Sequence, residues 1–365
     1  MKQFRSVVLA SVPLLLMLGS ASAQSVHFAE NLHSVTIDIS AVTQPSNPTE
    51  STSPAWFHAL GVSGVNRQAM WSSGQPAGLS SIAGVPPIFA PGFYPGDLSY
   101  QGGQTVVFAH SHDIYVNGNP ASTWGSPSPA YFLNDLASSP FIHITDDYVG
   151  SFNNLRYTVG DGSLLKATGF GHVLYDSDIQ YFADYIAKYL GESGYNNIYH
   201  FFLPPGQDEC FGTRPGIIGS GTSAAPPAGF ECYSPDYLDN FYFCAYHSSA
   251  TFGGGVGHVL YTVEPYQNTL YCQVAQPSPN GVVVDSTASV LSHETFETIT
   301  DPDGYSWWNT NSLTLFGSEI GDECQNTTFS YGSVFISSKN YEVQPEYSNL
   351  QHGCAFARTN SFPPF

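Results

Sequence analysis

The sequence predicts an α+β fold, rich in loops, in which a mixed sheet packs against a helix of the C-terminal half. Two stretches have helical character, 177–190 and 286–300. Between them lie two short apolar runs typical of strands, 197–203, which ends at two prolines, and 257–263. Helix, strand, strand and helix in this order favour helices layered against a sheet.

The first helix and the strands before it follow from local patterns. The apolar runs 105–109 and 113–116 predict strands near the start of the compact part. In 177–190, Ser177 can cap the helix start and Gly191 can end it. One apolar stripe runs along this helix, formed by Ile179, Phe182, Ala183, Ile186 and Leu190.

The second helix, 286–300, has its own start and stop signals. Asp285 or Ser286 can accept hydrogen bonds from the first turn and so cap the helix. Pro302 prevents much continuation, because its ring clashes with the preceding turn and it lacks an N–H.

Residues 1–23 predict a secretory signal peptide. Lys2 and Arg5 make the start basic, 7–18 is apolar, and 21–23 (Ala-Ser-Ala) fits a cleavage site. The apolar run is shorter than the roughly 20 residues that a spanning helix needs, and no second candidate follows. The sequence therefore predicts a secreted protein, extracellular or periplasmic, without a membrane span.

The mature chain divides into two regions by composition. Residues 24–100 are rich in Pro, Ser and Gly and predict an irregular N-terminal region. Residues 101–365 have the length of one large domain and hold all the predicted helices and strands.

The charge balance excludes one class of partner. Without Lys2 and Arg5 of the signal peptide, seven basic residues face 29 acidic ones, a formal charge of −22. A field of this sign repels phosphate backbones, so no nucleic-acid partner is expected. The many tyrosines suit a wet extracellular surface and contact with carbohydrate.

The cysteine pattern predicts disulfides. Six cysteines in an exported chain allow up to three bridges. Cys324 and Cys354 stand apart from the others and form the favoured pair, while Cys210 and Cys232 bracket a loop rich in Gly, Pro and Ser. A cysteine metal cluster is not expected, because no C-x-x-C spacing occurs.

The chemistry is concentrated in the second helix, at His293-Glu294-x-x-Glu297. Residues four apart share a helix face, so His293 and Glu297 can reach one ion, and both side chains are ordinary zinc ligands. Glu294 would lie beside the ion and take a proton from a bound water whose pKa falls to roughly 7. This is the zincin motif H-E-x-x-H with Glu as its last residue, and it predicts a zincin-like, metal-dependent hydrolase.

The second carboxylate also bears on the choice of metal. It lowers the positive charge left on the ion and suits harder cations. Zinc is therefore the first candidate, with manganese or calcium as alternatives.

A third ligand has to come from outside the motif. Asp301 lies about 12 Å from His293 along a straight helix and cannot easily reach the same ion. Asp303 could return after the following turn. Glu319 and Asp322 lie in a glycine-containing loop next to a cysteine, and we favour these two as ligands over Asp303.

Structural interpretations compete with the metal site. His and Glu on one helix face also occur by chance, but Glu294 and Glu297 have few cationic partners in a chain so poor in Lys and Arg. His247 is a further candidate to line the site, although a hydrogen-bonded structural histidine is the favoured interpretation. Only structural roles are predicted for His110, His112, His143, His200 and His258. The serine-nucleophile motif G-x-S-x-G is missing.

Three stretches of the chain together resemble the EXORDIUM-like (phosphate-induced) secreted proteins of plants and their bacterial relatives. The first consists of 290–302 together with Trp307-Trp308 and 319–324. The second is 243–248, and the third is 341–349 together with Gly353-Cys354. The resemblance spans roughly 102–354.

The resemblance implies an extracellular or cell-wall-associated protein with Glu in the second metal position. It implies that four residues act together, His293, Glu294, Glu297 and Asp322. The plant members have Asn where this chain has Asp301, and no acid that matches Asp303, which implies that neither is an essential ligand.

The resulting hypothesis is a secreted metal-dependent hydrolase, with a metallopeptidase as the first candidate and an extracellular peptide as the substrate. The alternative is a non-catalytic extracellular or cell-wall-associated protein that retains a structural metal site, such as calcium. In that case Trp307 or Trp308 would stack on the sugars of a cell-wall glycan.

Overall fold

The computed structural model of the protein describes most of the region after residue 94 and two earlier strands. The described residues are 32–38, 59–61, 95–149, 155–214, 225–274, 278–312, 317–325, 333–336 and 339–358. The predicted signal peptide, 1–23, lies outside them.

Strands and helices alternate along the described chain. The strands are β1 (Leu32–Asp38), β2 (Ala59–Gly61), β3 (Ser99–Tyr100), β4 (Ala109–Val116), β5 (Tyr157–Val159), β6 (Gly162–Thr168), β7 (Val173–Tyr175), β8 (Asn197–Phe202), β9 (Asp208–Cys210), β10 (Cys232–Tyr233), β11 (Phe243–Phe252), β12 (Gly257–Glu264), β13 (Trp307–Trp308), β14 (Ser333–Ile336), β15 (Lys339–Glu342), β16 (Glu346–Ser348) and β17 (Gly353–Ala355). The α-helices are α1 (Pro129–Ala137), α2 (Asp146–Val149), α3 (Asp176–Leu190) and α4 (Val282–Thr300). Single turns occur at Pro120–Trp124, Ile142–Thr145 and Asp322–Cys324.

The central sheet is mixed, which confirms the predicted α+β class. Its order is β1-β6-β4-β8-β12-β11-β2, with β5 paired to β4. Neighbours from β1 to β12 run parallel, whereas β11 is antiparallel to both β12 and β2. Long crossovers join the parallel strands, and α3 lies in one of them, between β6 and β8.

Helices cover both faces of this sheet. Because side chains alternate along a strand, neighbouring residues of β8 enter opposite cores. Tyr199 and Phe201 pack with α3, and Ile198 and Phe202 pack with α1 and α4. The candidate helix α4 therefore lies on the face opposite α3, against β11 and β12.

The two predicted helices are present, but their caps differ from the prediction. Helix α3 ends at Gly191 in the left-handed conformation, as predicted. Its N-cap is Tyr175 and not Ser177, because Asp178 accepts the backbone N–H of Tyr175 at 2.8 Å. The carboxylate that caps the helix belongs to Asp178, which lies inside the helix and bonds back to the residue before it. A prediction that considers only the side chain of the N-cap residue misses this arrangement.

Helix α4 begins earlier than predicted, at Val282 after Gly281, whose φ of 94° no other residue type adopts readily. The expected caps Asp285 and Ser286 were wrong. Asp285 lies in the first turn and accepts hydrogen bonds from the preceding loop, from Ser278 at 2.7 Å and from the backbone of Asn280 at 3.0 Å.

The predicted strand at 105–109 was wrong except for its last residue, since β4 begins at Ala109. Val106 donates its backbone N–H to Ile299 at the end of α4, at 2.8 Å. Arg156 donates to the carbonyl of Val107. These partners satisfy the backbone without a strand neighbour.

Two strands from the region 24–100 join the central sheet. Strand β1 pairs in parallel with β6 over seven residues, and buries Val35 and Ile37. Strand β2 pairs with β11 at the other end. The sequence analysis predicts neither strand.

Three disulfides connect all six cysteines, which lie entirely within the described residues. The bridges are Cys210–Cys232, Cys244–Cys272 and Cys324–Cys354. The favoured pair Cys324–Cys354 is confirmed, as is the bracketing of the loop after Cys210. Stable disulfides are typical of oxidising compartments. Among the described helices, none combines the length and apolar character needed to cross a membrane.

Candidate metal centre

Helix α4 is buried on all sides although it carries many polar residues. From Asp285 to Thr300 every residue is buried. Its hydroxyls bond back to the helix itself: Thr295 donates to the carbonyl of Leu291 at 2.6 Å, and Thr298 to that of Glu294 at 2.6 Å. The side chains of His293, Glu294 and Glu297 are not bonded to the helix backbone and point to partners outside it.

His293 and Glu297 point at the same place, as their i,i+4 spacing predicts. Glu297 Oε1 lies 3.0 Å from His293 Nε2, and both side chains are fully buried. Asp322 Oδ1 lies 3.9 Å from the same nitrogen, and its side chain is 17% exposed. One ligand atom from each of these three residues lies within 4.8 Å of the others, so the three could hold one ion.

The surroundings of His293 orient its ring. Gln344 Nε2 lies 2.9 Å from Nδ1 of His293 and donates to the carbonyl of Gly321 at 3.1 Å. A Cβ at Gly321 would lie 2.3 Å from His293 Nδ1, so the ring fits only against a glycine. For Nε2 to bind a metal, Nδ1 must carry the ring proton, so the Gln344 amide would have to turn its oxygen to Nδ1 and release the Gly321 carbonyl.

A second group of potential ligands shares Glu297. His247 lies on β11, and its Nδ1 is 3.4 Å from Glu294 Oε2 and 3.4 Å from Glu297 Oε2. Its Nε2 donates to the backbone carbonyl of Asp301 at 3.2 Å. His247, Glu294 and Glu297 form a buried triad. One ligand atom from each of these residues also lies within 4.8 Å of the others, so this triad could hold one ion as well.

Three further glutamates surround these triads, and all are fully buried. Glu319 Oε2 lies 3.8 Å from His247 Nε2. Glu264 ends β12 and accepts a hydrogen bond from Thr262 at 2.8 Å. Glu346 begins β16 and interacts electrostatically with His293.

Burial and charge shift the pKa values of the whole group. Burial raises the pKa of Glu264, Glu319 and Glu346 well above the ordinary glutamate range. Burial also raises the pKa of Glu294, to about 6. In Glu297 the same effect is outweighed by His293 and His247, which lower its pKa.

In His247 the effect of the neighbouring carboxylates on the pKa outweighs the effect of burial. Burial by itself lowers the pKa of an imidazole, but Glu294 and Glu297 together raise that of His247 to about 10. His247 therefore carries a positive charge at neutral pH when no metal is bound.

The donor set fits a divalent cation. His293 Nε2, both oxygens of Glu294, Glu297 Oε2 and Glu346 Oε2 are buried without a well-aligned hydrogen bond. The two buried arginines of the described residues serve other acids, Arg156 binding Asp146 and Arg214 binding Asp178. Keeping a buried carboxylate ionised without a counter-charge costs several kcal/mol, which is why burial raises the pKa of most of these acids. A bound cation would remove that cost.

Access to the cluster is narrow. His293, Glu294, Glu297 and Glu319 are completely buried, and the partly exposed member of the triad is Asp322. Asp322 lies in the 319–324 loop, which the Cys324–Cys354 bridge holds.

The two acids just after α4 have other partners. Asp303 accepts hydrogen bonds from Tyr195 and from Ser249 at 2.6 Å, and lies 3.0 Å from His258 Nε2. Asp301 accepts the backbone N–H of Ser306 at 2.6 Å and also interacts with Glu319.

Sequence reasoning missed several residues of the cluster. Gln344 and Glu346 lie in a stretch quoted only for its resemblance, and their spacing of two on an extended chain could have placed both on one side. Glu264 directly follows the predicted strand 257–263, so its position at the end of a strand could have been predicted from the sequence. His247 was favoured as structural, yet it lies inside the cluster.

The tryptophans proposed for glycan stacking take part in packing. The Trp307 ring lies 5.3 Å from Tyr100 and 5.4 Å from Tyr148, measured between ring centroids. Strand β13, which holds Trp307 and Trp308, pairs with β3.

Comparison with known proteins assigns no class to this fold and site. No family profile matches the chain, and neither a curated protein nor a solved structure gives a significant match.

Proposed function

We propose that the chain is an exported metal-dependent hydrolase, with a peptidase as the first candidate, in which His293, Glu297 and Asp322 hold a divalent ion. The supporting observation is the convergence of these three side chains in a buried cluster, next to Glu294, whose two carboxylate oxygens are buried without a well-aligned hydrogen bond. The resemblance to EXORDIUM-like secreted proteins, which rests on the same residues, supports the ligand set. Zinc is the first candidate metal.

Glu294 is the proposed proton acceptor. When bound, a divalent ion would lower the pKa of a water molecule at the site and polarise a substrate carbonyl. The pKa of Glu294, about 6, leaves it mostly ionised at neutral pH and close to the value at which a general base works best. His247 Nδ1 lies 3.4 Å from the Glu294 carboxylate, which places an imidazole beside it.

A second candidate function is a structural metal centre in a non-catalytic extracellular protein. The complete burial of Glu294 favours it, because a proton acceptor has to meet its substrate. In this case the ion holds α4, β11 and the 319–324 loop together, and nothing is cleaved.

Metal analysis and a peptide-cleavage screen on the same sample separate these functions. The protein is purified without added metal, its metal content is measured, and its melting temperature is compared with and without chelator. Glu294→Gln is matched with Glu231→Gln, a variant of an exposed glutamate.

A hydrolase contains at least one equivalent of metal and cleaves peptides, and Glu294→Gln stops cleavage while keeping the metal. A structural centre loses thermal stability in chelator and cleaves nothing. Absence of metal with an unchanged melting temperature in chelator rejects both functions.

A further inference from the structure

A second group of potential ligands lies away from α4, at the amino end of the parallel strands. His110 and His112 are two residues apart on β4, so both rings lie on one face of the sheet. Glu192 follows α3, just before the chain enters β8 beside β4. One ligand atom from each of the three residues lies within 4.8 Å of the others. None of them belongs to the cluster around Glu297.

Each histidine has one ring nitrogen oriented by an oxygen. His110 Nδ1 lies 2.8 Å from Thr158 Oγ1, and His112 Nδ1 lies 3.4 Å from the backbone carbonyl of Asp161. Metal-binding histidines are commonly held in this way, with one nitrogen bonded to an oxygen and the other turned to the ion.

His112 has oxygens on both sides, which is the observation that points to a cation. Besides the carbonyl at Nδ1, Glu192 Oε2 lies 3.0 Å and Asn197 Oδ1 3.3 Å from its Nε2. The Asn197 oxygen is held in this position because its amide nitrogen donates to Ser193 at 2.9 Å. A neutral imidazole has one N–H and cannot donate in both directions. A metal ion at Nε2 would let Nδ1 donate to the Asp161 carbonyl while the ion faces the oxygens of Glu192 and Asn197.

His110 brings a second ring nitrogen next to this position. Its Nε2 lies over Gly160, where a Cβ would approach to 2.5 Å of that nitrogen and 3.1 Å of His112 Cε1. The glycine makes room for the two rings to meet.

We propose that His110, His112 and Glu192 form a second metal site, for a borderline divalent cation such as Zn²⁺. Two imidazoles and one carboxylate are an established zinc ligand set that leaves a coordination position open. The Glu192 side chain is 45% exposed, so an ion reaches this site directly from solvent. The site is independent of the proposed function of α4.

Zinc titration of the full chain tests the site. Calorimetry with ZnCl₂ at pH 7.5, after removal of metal, is carried out on the wild type, Glu192→Gln and His110→Ala. His172→Ala is the matched control. The His172 side chain is 39% exposed, close to the 45% of Glu192, and it faces a single acid, Asp208, at 3.8 Å. Repeating each titration in a Glu297→Gln background removes any contribution from the cluster at α4.

In Glu192→Gln and His110→Ala we expect the loss of one zinc-binding event, or a weakening of its affinity by tenfold or more. Zinc binding by His172→Ala should be unchanged. The same pattern is expected in the Glu297→Gln background. Glu192→Gln is nearly isosteric and exposed, so it tests binding without the risk of unfolding. Equal zinc binding in wild type and both variants overturns the site and leaves His112 and Glu192 as a hydrogen-bonded pair without an ion. Failure of the function proposed for α4 would not change this outcome.

Discussion

Glu297 places its two carboxylate oxygens against two different histidines. Oε1 lies 3.0 Å from His293 Nε2 on the same helix, and Oε2 lies 3.4 Å from His247 Nδ1 on β11. Glu297 therefore belongs to both potential ligand triads of the buried cluster. Whichever triad binds the ion, Glu297 takes part.

The first prediction concerns this shared role. Glu297→Gln removes the charge from both triads, and we expect metal affinity to fall by at least about tenfold. Equilibrium dialysis against zinc measures the loss. Glu231→Gln, at an exposed glutamate outside both triads, is the matched control. Unchanged affinity in Glu297→Gln would rule out both triads.

The second prediction tests the packing of His293 against Gly321. The backbone of Gly321, with φ −79°, accepts alanine, but the added Cβ would lie 2.3–2.7 Å from the His293 ring. We expect Gly321→Ala to lower the free energy of unfolding by about 1–3 kcal/mol and to weaken metal binding as the ring moves.

The control for this steric effect is Gly253→Ala, where a Cβ would meet nothing within 4 Å. Chemical denaturation and zinc titration are measured on both variants. Equal behaviour of the two would show that the contact with His293 is not needed.

The third prediction concerns pH. Asp176, at the start of α3, accepts hydrogen bonds from Tyr246 and Tyr261, yet burial raises its pKa from 3.8 to about 6. Between these values the folded state binds more protons than the unfolded state, so the free energy of unfolding falls as pH rises from about 4 to about 6, by on the order of 3 kcal/mol.

Asp176→Asn should flatten this part of the pH profile, because an amide oxygen still accepts from both tyrosines and has no charge to bury. Denaturation midpoints from pH 4 to pH 7 measure the slope, with Asp239→Asn as the control at an exposed aspartate. A slope in Asp176→Asn equal to that of the wild type would contradict the assignment.

The fourth prediction concerns the bridge that holds the 319–324 loop. Replacing Cys324 and Cys354 together by serine opens a loop with a sequence separation of 30 and should cost about 3–4 kcal/mol. It should also weaken metal binding, since Asp322 lies two residues before Cys324 and the bridge anchors that turn.

Replacing Cys210 and Cys232 provides the comparison. Their separation of 22 predicts a similar loss of stability, but no element of the metal cluster lies between them. If both double variants bind metal as the wild type does, Asp322 is not a ligand that depends on the bridge.

Local sequence patterns predicted a large part of this protein. The i,i+4 spacing of His293 and Glu297 brings the two side chains together because helix geometry depends only on neighbouring residues. The stop of α3 at Gly191 and the strands at 197–202 and 257–264 follow from the same kind of short-range rule. The pairing of Cys324 with Cys354 was found because these two cysteines stand apart.

Only the tertiary structure decided what surrounds that helix. His247, Glu264, Glu319 and Glu346 come from separate strands and loops, and no local pattern indicates that they meet at Glu297. Strand β1 joins the sheet by pairing with β6, more than 120 residues later in the chain. Contacts between distant segments depend on how the layers pack. Burial sets the pKa values of these acids, and the acids become buried only when that packing is complete.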